Sequence, residues 1–139
     1  MSTPPTPWAG HLAATPAAAT SDWVYPGVHD WVHEWLAPVI TVELGPGMSW
    51  CAQWWRHPQA VHRLDACWRA WEHLRLLTPA EPAAMSGWWR DHGDPCLTAL
   101  LSSPRSPFRQ CRDEHAADLP PLPDDPPPPG WTPATPTDR

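Results

Sequence analysis

Apart from Cys67, the side chains of this 139-residue sequence best suited to hold a metal ion are Cys51, His57, His92, Cys96, Cys111 and His115. Zinc takes four nitrogen or sulfur ligands in a tetrahedron, and His92-x3-Cys96 and Cys111-x3-His115 have spacings that put two ligands on one helical face. The zinc set expected on this reading is Cys51, His92, Cys96 and Cys111. No C-x2-C pair accompanies them. The competing reading makes Cys67 core filler and the others scattered small apolar residues, with no cofactor.

Other residues offer different chemistry. In Arg90-Asp91-His92 with Asp94, a carboxylate beside an imidazole can orient it for acid–base work, although a helix end with an Asp N-cap uses the same residues. No Gly-x-Ser-x-Gly elbow or other complete catalytic constellation is present, so no enzyme activity is expected. Exposed indoles could stack the bases of single-stranded nucleic acid while Arg63, Arg69, Arg105 and Arg109 meet phosphates. Against this, residues 22–112 hold nine acids and eight arginines, which is not a basic footprint. The primary expectation is a protein-interaction module. Trp and Arg dominate interface energetics, and Trp54, Arg56, Trp88 and Arg90 form the candidate surface.

Helices must position these groups, in a mostly α, Trp-rich bundle of three to four helices. Of 22 prolines, thirteen lie before Ser21 or after Leu119, whereas ten of the twelve tryptophans lie between Asp22 and Arg112. Residues 1–21 therefore read as a disordered Pro/Ala/Thr leader, 22–112 as the domain, and 113–139 as a disordered acidic, Pro-rich tail. Val28, Trp31, Val32, Trp35 and Leu36 repeat at helical spacing until Pro38 ends or kinks the helix. Val39–Leu44 is rich in β-branched residues but has no partner strand, so a kinked helical continuation is preferred. A second helix is expected from Pro58 to about Leu77, with Val61, Leu64, Cys67, Trp68, Trp71 and Leu74 on one stripe and Asp65 paired with Arg69. Thr78 is a candidate capping box, Gly93 a helix stop, Asp94-Pro95 the start of a last short helix, and Phe108 the last buried anchor.

The Trp54-Trp55-Arg56 and Trp88-Trp89-Arg90 segments echo each other at an offset of 34 residues, the length of a helical-hairpin repeat. No run is long and apolar enough for a membrane span, and no signal peptide begins the chain. A cytoplasmic protein with reduced cysteines is expected.

The motifs W-C-A-Q-W-W-R-H-P, C-W-R-A-W-E-H-L-R and W-W-R-D-H-G-D-P-C-L resemble an uncharacterised actinobacterial family known only as a domain of unknown function. The similarity runs from about Trp31 to Cys111, and it departs at Ala84, where the family often has Gly. Its members tend to be encoded on conjugative or phage-like mobile elements. The resemblance thus implies a mobile-element context and not an activity, leaves the protein partner unknown with transfer machinery one candidate, and carries over no catalytic residue.

Overall fold

The first helix shows how this sequence deals with proline. The computed structural model describes residues 22–134, and every regular element among them is helical. Helix α1 (residues 28–39) is α-helical over Val28–Trp31, widens to a π turn over Val32–Leu36 and closes as Ala37–Val39. A proline ring at position 38 would strike the carbonyl four residues back. The π turn shifts the register instead, and the Ala37 N–H reaches Val32 O, five residues back. α1 buries Trp31, Val32 and Leu36. It stops at Val39, where Ile40 turns extended at φ −82°, ψ 109°. The expected helical continuation through Leu44 is therefore absent, and residues 40–45 pair with no strand among the described residues.

Helix α2, Pro58–Leu77, has the expected bounds. Pro58 stands where a missing N–H has no partner to lose. The expected stripe faces inward, with Val61, Leu64, Cys67, Trp68 and Trp71 buried, and Asp65 and Arg69 pair at 2.7 Å. Glu72 is fully buried as well. Its carboxylate accepts the Val24 and Tyr25 N–H groups at 2.9 Å and Trp68 Nε1–H at 3.1 Å, which fastens the N-terminal approach to the middle of the domain.

Helix α3 (residues 84–102) is longer than expected and unbroken. Its α segments Ala84–Trp88 and Asp94–Leu97 are joined by the π turn Trp89–Gly93, and a further π turn, Thr98–Ser102, ends it. Pro95 is accommodated as Pro38 is, with the Asp94 N–H reaching Trp89 O. Asp94 is thus a mid-helix residue and not an N-cap, and Gly93 is not a stop. A Cβ on Gly93 would lie 2.7 Å from Trp88 Cζ3, so the missing side chain makes room for the indole. Thr78 forms no capping box either; its hydroxyl bonds back to Leu74 O at the end of α2.

Indoles supply most of the core. Trp31 meets Trp88 edge to face at 6.2 Å, and Trp35 packs on Trp71 at 5.1 Å. Such pairs contribute about 0.5–1.5 kcal/mol beyond area burial. Trp88 Nε1–H donates to Cys67 O, locking α3 onto α2. The internal echo is not a structural repeat: Trp54–Arg56 is a 3-10 turn before α2, whereas Trp88-Trp89-Arg90 lies inside α3.

Candidate metal centre

Two loops meet beyond the start of α2. The first carries Cys51 and leads through the Trp54–Arg56 turn to His57, the N-cap residue of α2, whose carbonyl accepts the Val61 N–H. Its path is pinned where the Ser49 N–H bonds to Leu101 O at 2.7 Å. The second loop follows α3. Ser106 Oγ donates to Leu100 O and accepts the Phe108 N–H, which folds the chain back and buries Phe108 against Trp50 and His57. Cys111 follows at once, and a turn brings round His115. Phe108 is therefore not the last buried anchor, and the domain boundary expected at Arg112 falls inside this turn.

The loops bring the ligand atoms of Cys51, His57, Cys111 and His115 within 4.8 Å of one another. Cys111 Sγ lies 3.4 Å from His57 Nε2, and Cys51 Sγ lies 3.4 Å from His115 Nδ1. A tetrahedral zinc with Zn–S of about 2.3 Å and Zn–N of about 2.05 Å has S···N edges of about 3.5 Å. These two S···N pairs thus stand at the separation a shared ion requires, and the remaining pairs lie within 4.8 Å. Cys51, His57 and Cys111 are buried, while His115 is half-buried beside a cleft lined by Trp50, Arg56, Arg112 and Glu114.

Backbone and charged groups surround both thiols. Ala116 N–H donates to Cys111 Sγ at 3.4 Å. Burial holds the Cys51 thiol above its ordinary value, the Gln53 backbone and the Arg56 charge only partly opposing it and the neighbouring Cys111 adding to it. Burial lowers the His115 pKa, with Arg56 and His57 adding to the effect. His57 Nδ1, on the far side of its ring, is 2.6 Å from Asp118 Oδ1.

Only half of the expected zinc set is here. Cys51 and Cys111 meet, but His92 and Cys96 do not join them. His92 is exposed within the π turn of α3, whose wider register takes it off the face that buries Cys96. Cys96 lies against α2 with its thiol toward Arg63 O. It also sits beside Cys67, whose pKa is raised by that neighbour first and by burial second. His57 and His115, from the wider set of candidates, take the vacant corners. Their spacings, Cys51-x5-His57 and Cys111-x3-His115, are the sequence signal.

The remaining candidates are scattered. Trp54 and Trp88 are buried, so the expected Trp–Arg surface is not formed; Arg56 bonds to Gln53, and Arg90 pairs with Asp91 in solvent. That exposed pair engages the Asp91 carboxylate that the acid–base reading places beside His92. Arg63, Arg105 and Arg109 are exposed, whereas Arg69 is held by Asp65.

Residues 25–128 match a family model described as a domain of unknown function, DUF4913. The chain belongs to this family. The DUF4913 match extends past Cys111, the expected limit, and takes in all four donors and Asp118. Neither the curated proteins nor the solved structures offer a match to the chain.

Proposed function

We propose that this DUF4913 domain is a non-enzymatic binding module closed by one structural zinc ion on Cys51, His57, Cys111 and His115. The observation that carries this reading is the convergence of two thiols and two imidazoles within 4.8 Å, three of the four side chains being buried. Two thiolates cancel the charge of a divalent ion, and this mixed sulfur and nitrogen set favours zinc. Four protein donors leave no open position, which marks a structural site. A helical core of about ninety residues gains from such a staple.

Cys111, His57 and Asp118 also stand in the order of nucleophile, base and orienting carboxylate. Burial argues against that use. His57 is 0% and Cys111 3% exposed, and the side-chain atoms of Cys51 and His115 crowd the same pair within 4.8 Å.

As to the module's partner, an apolar cleft of about 170 Å³ lined by Leu36, Ile40, Val42, Leu44, Trp50 and Leu101 supports protein docking. Val39, Val42 and Leu44 beside it are exposed. An accessory role in a mobile-element transfer system, expected from the family resemblance, belongs to the same proposal, as does a reducing cytoplasmic setting. No helix among the described residues is long and apolar enough to cross a membrane. Single-stranded nucleic acid has weaker support, since Trp55 and Trp131 are the only tryptophans among the described residues to rank as exposed large hydrophobics.

The test is zinc content after purification under reducing conditions. One zinc per chain is expected to survive gel filtration and to be lost in Cys111→Ser. Metal-free protein of unchanged thermal stability, with Cys51 and Cys111 freely alkylated, overturns the proposal.

A further inference from the structure

The metal site has a neighbour that its four donors do not account for. Asp118 lies seven residues beyond Cys111, in the acidic segment expected to be a free tail. Its Oδ1 nonetheless approaches His57 Nδ1 to 2.6 Å, with the imidazole fully buried and the carboxylate side chain 40% exposed. A carboxylate accepts and does not donate, so this contact places the His57 proton on Nδ1. The lone pair is then on Nε2, the nitrogen that faces Cys111 Sγ. His115 is turned the other way, with Nδ1 toward Cys51 Sγ.

We propose that Asp118 is the outer carboxylate of this metal site. It holds His57 as the Nδ1–H tautomer, so that Nε2 meets the ion while His115 binds through Nδ1. This rests on the zinc reading above and goes beyond it, because it makes a residue outside the donor set a positioning residue for the ion. An acceptor behind a ligating imidazole fixes the ring and raises its basicity, and its loss typically costs 10–100-fold in metal affinity.

The same bond ties the ion to the following chain. Residues 118–122 form one wall of a cleft whose other wall is Pro58, Gln59, Arg105, Pro107 and Arg109. Among the hydrogen bonds of the described residues, the one to His57 is what fastens Asp118 to that wall. Metal on Nε2 strengthens the Nδ1–H donor, and Asp118 strengthens Nε2 as a ligand. The coupling is reciprocal: filling the site clamps this segment, and releasing the segment weakens the site.

The experiment uses the full-length chain loaded with zinc. Competition against a chromophoric chelator is expected to show affinity reduced roughly 10–100-fold in Asp118→Asn and partly restored in Asp118→Glu, with Asp124→Asn unchanged. Nitrogen-15 NMR of the wild-type protein, which needs no variant, is expected to show His57 protonated at Nδ1 and metallated at Nε2, and His115 the reverse. Zinc bound with unchanged affinity in Asp118→Asn, or His57 metallated through Nδ1, overturns the role of Asp118 and leaves the zinc site standing. A wild-type chain that binds no zinc overturns both.

Discussion

Cys111 Sγ and His57 Nε2 lie 3.4 Å apart although 54 positions separate them in the sequence. The contact exists because α2 and α3 form an antiparallel pair whose open end brings the loop before α2 against the loop after α3. Two measurements follow from it directly. Chelation of zinc is expected to lower the melting temperature by at least about 5 °C, the effect of roughly 1 kcal/mol in a domain of this size. The helical circular dichroism should largely persist, because the indole pairs between the helices, such as Trp31–Trp88 and Trp35–Trp71, include none of the proposed donors.

Substituting cysteines one at a time separates the proposed donors from the expected ones. Cys51→Ser and Cys111→Ser are expected to abolish stoichiometric zinc. Cys96→Ser should retain one zinc per chain and lose only packing against α2. Metal analysis of the three purified variants decides the matter.

How much of this was legible beforehand depends on how local each feature is. Helix α2 was readable because Pro58 sets its start and the stripe from Val61 to Trp71 repeats at one helical period. The continuity of α3 was not, since Asp94-Pro95 is an ordinary helix-start signal and only the π turn before it, with Gly93 packed on Trp88, carries the helix through. The candidate metal site was half legible for the same reason. Each Cys–His pair is local, but which pairs meet depends on the hairpin between them, and the π turn removes His92 from the face its spacing assigns it. Buried Glu72 was missed altogether, because its partners are backbone groups of Val24 and Tyr25 far away in sequence.

That glutamate gives a stability prediction. Glu72→Ala strands two backbone donors and the Trp68 indole N–H, and is expected to cost about 2–4 kcal/mol. Urea unfolding followed by tryptophan fluorescence measures it. Protein of wild-type stability would mean that the Val24–Tyr25 segment is not held by this carboxylate.

Gly93→Ala pits two effects against each other. Alanine gains about 1 kcal/mol of helix propensity over glycine. The added methyl meets Trp88 at 2.7 Å and Trp89 at 3.1 Å, and overpacking of this kind costs about 1–3 kcal/mol. Since the Trp88 indole is rigid and fully buried, the clash is expected to win and the variant to melt at a lower temperature than wild type.

The two adjacent tryptophans before α2 should behave oppositely. Trp54 is 6% exposed and Trp55 52% exposed. Trp54→Ala is expected to cost about 3–5 kcal/mol, as for large aromatic truncations in cores, and Trp55→Ala less than about 1 kcal/mol. Chemical denaturation of both variants tests the assignment of Trp54 to the interior.

The order in which the donors leave the ribosome has a consequence of its own. Cys51 and His57 emerge early, but Cys111, His115 and Asp118 are among the last residues of the domain to be made. A nascent chain can therefore offer only two corners of the proposed tetrahedron until both helices exist, so on this proposal the ion would be the final component to arrive, a seal on a finished domain.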